Sequence, residues 1–249
     1  MSALRARCPD CRTLTAVAIG PEYQCHSCGR EFAAGLLRVH RAWGAGGEAM
    51  AAAAGMSLPW PEAATIAEET LDAQIKATAR ELPQRPLVLG GCCCAHVGAV
   101  RELARRHGRL AVVWLDAHGD LNTPESSPSG NAWGMPLRML IDAGDVAAGD
   151  VTLLGARSLD PPEEAFIESS GVRRSLAELP THVYVALDGD VIDPPQLDVF
   201  MPEPGGISLA DLEALLAGIP RPVGAGFTGL QPSRRNEEAL VRLGHALGL

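Results

Sequence analysis

Two short segments place carboxylates and a histidine at a spacing of two residues. Asp116, His118 and Asp120 directly follow one apolar run, and Asp188 and Asp190 follow another. Alternate side chains of an extended segment point to the same side, so each segment turns its ligand-type groups in one direction. An isolated aspartate after a strand is often only a turn former or a helix cap. Clustered carboxylates repel one another unless a cation neutralises them, so the whole set predicts a metal site.

Four cysteines near the start of the sequence form two CxxC pairs. Thirteen residues separate the two pairs, which consist of Cys8, Cys11, Cys25 and Cys28. This spacing is typical of a zinc ribbon, in which four thiolates hold one structural zinc ion. A redox-active CxxC pair is the alternative. Because residues 1–35 contain too little apolar sequence for a core of their own, we expect the zinc ion to hold them together.

Three consecutive cysteines, Cys92, Cys93 and Cys94, follow a pair of glycines. In an extended segment either Cys92 and Cys94 or Cys93 alone can face one side. The thiols can bind metal, react as low-pKa thiols, or act as small buried hydrophobic side chains. His96 also has two interpretations. It can be a metal ligand or proton shuttle, or it can be a hydrogen-bonded packing histidine.

Apolar runs alternate with amphipathic segments over the rest of the chain. Strands are predicted at residues 87–89, 110–115, 151–154, 183–187 and 223–227. Helices are predicted at residues 65–82, beginning in a Thr65/Glu68 capping box, at 97–107, at 135–143 and after Ser208. Residues 44–61, rich in Gly, Ala and Pro, predict an irregular crossover. The alternation indicates a mostly parallel sheet covered on both faces, which binds ligands at the carboxyl ends of its strands.

Length and composition limit the classes of function. The chain has 249 residues, a net charge of −9 and 47% hydrophobic residues. The length suits a zinc ribbon at residues 1–35 and one larger domain at 36–249. The negative charge argues against a nucleic-acid partner, and no apolar run approaches the roughly 18 residues of a membrane span. Residues 1–7 contain no apolar stretch typical of a secretory signal, so we expect a cytoplasmic protein.

The carboxylate segments resemble the motifs of one enzyme family. Residues 116–120 resemble the DAHxD motif of the ureohydrolase (arginase and agmatinase) family, and residues 187–194 are similar to its DxDxxDP segment. Residues 90–94 lie where the family has GGDHS, and the likeness extends roughly from 85 to 235. The resemblance implies an α/β fold, specifically a three-layer αβα sandwich with a mostly parallel sheet. It also implies two divalent ions, usually manganese, whose shared hydroxide attacks a guanidinium carbon and releases urea.

The resemblance also implies roles for individual residues. Six of them match metal ligands: Cys93, Asp116, His118, Asp120, Asp188 and Asp190. In the family pattern Asp116 and Asp188 bridge the two ions. The catalytic candidates are Asp120 and His118. In the family pattern Asp120 would orient the hydroxide and pass its proton to the leaving nitrogen.

A loop after residue 120 matches the family segment that holds the amino-acid head of the substrate. Asn122, Ser127 and Ser129 are placed to donate hydrogen bonds to a carboxylate. Residues 155–161 resemble the family's GxRDxDP, so Asp160 lies where a carboxylate meets the α-amino group. The alternative is that these residues are ordinary loop formers, since Asn, Ser, Pro and Gly dominate turns.

Three positions depart from the family pattern. Cys93 replaces a metal-binding histidine, and its soft thiolate shifts the metal preference from manganese toward zinc or iron. Trp133 lies where the family has a proton-shuttling histidine, and an indole cannot shuttle protons. Gly229 lies where the family has a glutamate that binds the guanidinium group.

The sequence therefore predicts a metal-dependent amidinohydrolase that cleaves a C–N bond of an arginine-like amino acid with a guanidino or modified guanidino group. One alternative is a non-catalytic relative that binds metal or an amino acid in a structural or regulatory role. A second alternative is an amide hydrolase on the same scaffold. We expect a small amino-acid-like substrate, a homo-oligomer and a protein partner for the ribbon.

Overall fold

The structure is a computed structural model that describes residues 5–6, 8, 10–11, 13–19, 22–32, 35–176, 178–220 and 222–249. Residues 1–4 and 7, on which the expected absence of a secretory signal partly depends, lie outside the described residues. Several positions of the expected ribbon also lie outside them. The strands are β1 (Arg5–Ala6), β2 (Ala16–Ile19), β3 (Glu22–Cys25), β4 (Glu31–Phe32), β5 (Gly35–Val39), β6 (Glu62–Ile66), β7 (Pro86–Gly90), β8 (Ala111–Leu115), β9 (Val151–Leu154), β10 (Val183–Asp188) and β11 (Gly224–Thr228). The helices are α1 (Glu48–Ala53), α2 (Leu71–Glu81), α3 (Ala95–His107), α4 (Pro136–Asp142), α5 (Pro161–Ser170), α6 (Leu209–Ala217) and α7 (Arg234–Ala246).

Seven strands form one sheet in the order β6-β5-β7-β11-β10-β8-β9, and all of its strand pairs are parallel. One apolar core, to which α2, α3, α4 and α5 contribute, covers one face of the sheet. A second core covers the other face with residues of α1, α6 and α7. The prediction of a mostly parallel sheet between two helical layers is confirmed.

The continuous apolar runs arise because both faces of the sheet are covered. In β8, Val112 and Trp114 belong to one core, while Val113 and Leu115 belong to the other. Each residue of this strand is buried. A central strand with no solvent-facing side has no reason to alternate polar with apolar residues. Each of the five predicted apolar runs coincides with a strand of the sheet to within one residue at either end.

The predicted start of the helix at residues 65–82, which corresponds to α2, is wrong. Thr65 and Ile66 belong to the strand β6, which pairs with β5 in parallel. The helix α2 begins at Leu71, and the Thr70 hydroxyl accepts a hydrogen bond of 3.2 Å from the Ala73 amide. Ile66 is buried as a sheet residue, so sheet pairing outweighs the local capping pattern.

The segment at residues 44–61 is less irregular than its composition indicates. It contains the six-residue helix α1, whose Ala53 is fully buried in the second core. The alanines that weaken the apolar signal in this segment are good helix formers.

The N-terminal strands form a separate antiparallel sheet in the order β1-β2-β3-β4. Its small core includes Tyr23 and Phe32, whose rings stack with centroids 5.5 Å apart. The Tyr23 hydroxyl accepts a hydrogen bond of 2.5 Å from the Gln84 amide, just before β7, and Ala63 of β6 packs against the same core. The small sheet thus contacts the larger one beside its edge strand. Within the described residues, no helix is long and apolar enough to cross a membrane.

Replacing Thr70 by alanine should lower the free energy of unfolding by about 1 kcal/mol, because the Ala73 amide loses its cap. Thr65→Ala is the matched control, since Thr65 is also exposed but lies on a strand. We expect the control to change stability by less than about 0.5 kcal/mol. Urea unfolding curves measure both values, and a larger loss in Thr65→Ala would contradict the observed helix start.

Candidate metal centre

The six predicted metal ligands meet at the carboxyl edge of the large sheet. Asp116, His118 and Asp120 follow β8, Asp188 ends β10, and Cys93 follows β7. These strands and β11 are neighbours in the order β7-β11-β10-β8. Parallel pairing puts their carboxyl ends on the same edge, which brings together side chains that are distant in sequence.

One group of ligand atoms forms around the Cys93 thiol. Its Sγ lies 3.2 Å from Asp188 Oδ2 and 3.5 Å from Asp116 Oδ2. The Thr228 hydroxyl, at the end of β11, is 3.2 Å from the same sulfur. Cys93, Asp116 and Asp120 each offer a ligand atom, and these atoms lie within 4.8 Å of one another. That arrangement is compact enough for one metal ion.

A second group forms around the imidazole of His118. Its Nδ1 lies 2.9 Å from Asp190 Oδ2 and 3.5 Å from Asp116 Oδ1. Asp116, His118 and Asp190 also offer ligand atoms within 4.8 Å of one another. Asp116 belongs to both groups, so the geometry fits two adjacent ions that share a carboxylate.

The buried carboxylates have raised pKa values. Burial, reinforced by the charge of Asp190, raises the pKa of Asp188 to about 7. Burial and the charge of Asp116 raise the pKa of Asp190 to about 6. Burial also raises the pKa of Asp120 well above its usual range, and its Oδ2 has no hydrogen-bond partner among the described residues. A buried oxygen without a partner, surrounded by other carboxylates, fits a place for a cation.

The thiol and the imidazole respond to the same negative charge. Burial and the charges of Asp120, Asp188 and Asp116 raise the pKa of Cys93 well above its usual value. Burial alone would lower the pKa of His118, but its hydrogen bonds to Asp116 and Asp190 raise the pKa to about 12. Binding of a divalent ion would therefore displace protons from both groups. Four carboxylates, one imidazole and one thiol suit zinc or iron as well as manganese.

The metal centre forms the floor of a cavity of about 250 Å³. The side chains of Met50, Trp133, Phe200 and Met201 provide apolar walls. Among the described residues that line the cavity, none is a lysine or an arginine. The negative charge around the cavity therefore favours cations and molecules with an amino group.

The four predicted substrate-binding residues all line this cavity. Asn122 is buried, and its Nδ2 donates a hydrogen bond of 2.8 Å to Asp160 Oδ2. Asp160 also caps α5. The hydroxyls of Ser127 and Ser129 lie 3.4 Å apart near the surface and accept hydrogen bonds from the amides of Gly130 and Asn131 at 3.1 and 3.3 Å. All four residues therefore have partners within the protein, and the serine hydroxyls are the more accessible groups.

Gly229 and Trp133, two of the positions that depart from the family pattern, also line the cavity. Gly229 has a φ of 71°, and a Cβ atom there would overlap the carboxylate of Asp188. A longer side chain at this position would displace a predicted metal ligand. The Trp133 ring packs edge-on against Phe200, and a Cβ atom at Gly44 would collide with the indole.

The remaining cysteines point away from the carboxylates. Cys92 and Cys94 belong to a small apolar cluster with Met50, while Cys93 faces the aspartates. The Cys94 thiol donates to the carbonyl of Ala132 at 3.4 Å. Cys93 is thus the one of the three whose thiol contacts the aspartates, and residues 91–94 form a turn rather than the extended segment considered from the sequence.

His96 lies beneath the site rather than in the cavity. Its ring is buried between Tyr184 and Thr228, with Nδ1 2.9 Å from the Tyr184 hydroxyl and Nε2 3.2 Å from the Thr228 hydroxyl. Burial lowers the pKa of His96 to about 3. This environment matches a packing histidine that supports Thr228.

Two residues that hold the site in place were not predicted from the sequence, Thr228 and Glu163. Thr228 Oγ1 lies 3.3 Å from Asp188 Oδ2 as well as close to Cys93. Glu163 accepts hydrogen bonds from the amides of Leu121 and Asp160 at 2.9 and 3.0 Å. The hydrogen bond from Leu121 supports the turn at Asp120, which has a φ of 54°. The spacing of Asp160 and Glu163 is a capping-box signal that could have identified Glu163 from the sequence.

The four N-terminal cysteines form another compact cluster. Their sulfur atoms all lie within 4.8 Å of one another. Cys8 Sγ is 3.5 Å from Cys28 Sγ, and Cys11 Sγ is 3.5 Å from Cys25 Sγ. Four thiols gathered at this distance suit a tetrahedral zinc ion.

Comparisons with known proteins agree on one family. Residues 57–248 match the model of the Arginase family. An arginase of Brevibacillus brevis is 33% identical over 205 residues, which cover 65% of this chain and 66% of that protein. An arginase of Staphylococcus aureus (strain COL) is 42% identical over 98 residues, which cover 35% of this chain and 32% of that protein. The chain therefore spans about a third of the length of this last relative. The crystal structure of arginase from Bacillus cereus superposes with a TM-score of 0.66 at 27% identity, covering 75% of this chain and 83% of that one.

Substituting Gly229 by alanine should lower the free energy of unfolding by more than the same substitution at a glycine that has a positive φ but open space around it. Gly144→Ala is the matched control, because Gly144 has a φ of 73° with open space around it. We expect a loss of about 1 kcal/mol for the control. Gly229→Ala adds the overlap with Asp188, so it should lose more stability and bind manganese or zinc more weakly. Unfolding curves and metal titrations measure this, and equal effects in both variants would contradict the observed packing.

His96 should make stability depend on pH below neutrality. Its pKa is lower in the folded state than in the unfolded chain, so the unfolded state binds more protons and acid favours unfolding. This contribution is present above pH 6.5 and decreases by about 2 kcal/mol between pH 7 and pH 5. Urea unfolding at both pH values should show that His96→Gln loses less stability on acidification than the wild type. His245→Gln, on the exposed side of α7, should behave like the wild type, and an unchanged pH dependence in His96→Gln would contradict the assignment.

Proposed function

Because the chain belongs to the arginase family, we propose that it is a metal-dependent hydrolase that cleaves a C–N bond of an arginine-like amino acid. The main support is the pair of ligand groups that share Asp116 at the floor of the cavity. The family supplies the reaction class, and the cavity supplies space for a small molecule. The identities of the substrate and of the metals are part of the proposal.

The ligands themselves indicate how the centre is built. Asp116 serves both ligand groups, Cys93 and Asp120 complete one, and His118 and Asp190 complete the other, with Asp188 next to Cys93. Divalent ions held there would supply Lewis acidity, which lowers the pKa of water and polarises the substrate. Cys93 directs the choice toward zinc or iron, whereas the carboxylates also accept manganese.

Asp120 is the residue best placed to move a proton. Its Oδ2 is buried without a partner among the described residues, and burial together with Asp116 and Asp188 raises its pKa. We propose that this carboxyl group takes a proton from the attacking water and delivers it to the leaving nitrogen. His118 holds its place in the second ligand group through Nδ1.

The polar side of the cavity provides groups for an amino-acid head. The hydroxyls of Ser127 and Ser129 can donate hydrogen bonds to a substrate carboxylate. Asp160, held by Asn122, can accept from an amino group. Since no lysine or arginine is among the described lining residues, neutral donors such as these hydroxyls would bind a substrate carboxylate on this side of the cavity.

Hydrolysis of an amide is the second candidate, and the surroundings of Gly229 favour it. A cationic guanidinium group has no carboxylate partner at this position, and Asp188 leaves no room for one. The apolar walls formed by Met50, Trp133 and Phe200 suit a neutral scissile group better than a charged one.

Activity measurements distinguish these reactions. The purified protein, reconstituted in turn with manganese, zinc and ferrous iron, is assayed on L-arginine, N-hydroxy-L-arginine and a set of N-acyl amines. We expect turnover of one class, and a loss of about 10²–10⁴-fold in Asp120→Asn. Asp142→Asn, on the exposed side of α4, is the control and should keep full activity. Absence of turnover with every metal and substrate would refute the proposal and favour a non-catalytic binding role.

The N-terminal cysteine cluster is proposed as a structural zinc ribbon covering residues 1–35, with the larger domain at 36–249. Two separate sheets support the division, although the larger sheet already begins at Gly35, one residue before this boundary. A cytoplasmic location, a homo-oligomer and a protein partner for the ribbon stay predictions.

Zinc analysis tests the ribbon. Cys11→Ser should lose one zinc ion per chain and lower the melting temperature, because the small core of the ribbon cannot hold it together alone. The variant should keep the metal of the main centre. Full zinc retention in Cys11→Ser would contradict a four-thiolate site.

A further inference from the structure

Glu203 lies beside the metal centre without a role in the proposed reaction. Its Oε1 is 3.8 Å from Nε2 of His118, on the opposite side of the imidazole from the other carboxylates. The Glu203 side chain is one-third exposed, at 33%. It therefore keeps some freedom of movement beside a buried cluster.

The backbone around Glu203 is fixed by hydrogen bonds. Arg157 donates 2.7 Å hydrogen bonds from one nitrogen to the carbonyls of both Glu203 and Asp190, and its Nε donates to the carbonyl of Pro204 at 2.9 Å. Asp193 Oδ1 accepts from the amide of Gly205 at 2.7 Å. The guanidinium group thus ties the loop to the segment that carries a predicted ligand, so the proximity of Glu203 to His118 is part of the fold.

The two nitrogens of His118 face different partners. Nδ1 points at Asp116 and Asp190, the ligand group of one metal ion, and Nε2 points at Glu203. An imidazole that binds a metal through one nitrogen must carry its proton on the other. In metal sites this second N–H usually donates to a carboxylate or a carbonyl, which fixes the tautomer and the ring orientation.

We propose that Glu203 is a positioning residue that accepts the Nε2–H of His118 and keeps the Nδ1 lone pair directed at the metal. The inference rests on the proposed metal centre. At 3.8 Å the two groups form an ion pair, and the half-buried glutamate side chain must move by less than about 1 Å to come within hydrogen-bond distance. Glu203 acts only through His118 and does not touch the substrate.

Metal affinity tests the proposal without relying on turnover. The dissociation constant of manganese and of zinc at the main centre is measured by competition with a chromophoric chelator in the full chain. A urea unfolding curve of each metal-free variant is the control for correct folding of the larger domain. Glu203→Ala should weaken binding at the main centre by about 10- to 100-fold. Glu203→Gln keeps a carbonyl oxygen as acceptor and should recover most of the affinity.

Glu168→Gln is the charge-matched control, because Glu168 is exposed on α5. It should bind metal like the wild type. Unchanged affinity in Glu203→Ala would overturn the proposal, and so would equal losses in the alanine and glutamine variants, which indicate a charge effect. An altered KM with unaltered metal affinity would assign Glu203 to the substrate instead. Failure of the proposed reaction is distinct, since it appears as tight metal binding without turnover in the wild type.

Discussion

The repulsion among buried carboxylates is the constraint on which the functional site depends. Asp116, Asp120, Asp188 and Asp190 are all at most 9% exposed, and their pKa values are raised by burial and by one another. Such a group is costly in an apolar interior unless cations neutralise it. The parallel sheet assembles the group at one edge, and the proposed divalent ions would neutralise its charge.

Neighbouring features follow from this constraint. Gly229 lacks a side chain where any Cβ would overlap Asp188, and Thr228 places its hydroxyl between Cys93 and Asp188. Glu163 supports the unusual backbone at Asp120. The same packing that admits Asp188 therefore excludes a guanidinium-binding carboxylate at residue 229, which links the construction of the metal centre to the choice of substrate.

The sequence predicted those features that depend on local pattern. Continuous apolar runs identified the strands at 87–89, 110–115 and 183–187, because both faces of the sheet are covered. The meeting of the residues at the ends of these runs was predictable because parallel strands bring their carboxyl ends to one edge of the sheet. Thr65 and Thr70 both precede apolar residues, and only pairing of Ile66 with β5 decides which one caps the helix. Contacts such as Asn122 with Asp160 and Glu203 with His118 depend on loop geometry, which no local pattern records.

The most direct test of the proposed dinuclear centre is a crystal structure of the purified protein with anomalous diffraction measured at the manganese, iron and zinc absorption edges. We expect two ions at the main centre with Asp116 bound to both, and the sulfur of Cys93 bound to one of them. A single ion, or two ions that leave the Cys93 sulfur outside bonding distance, would contradict this expectation.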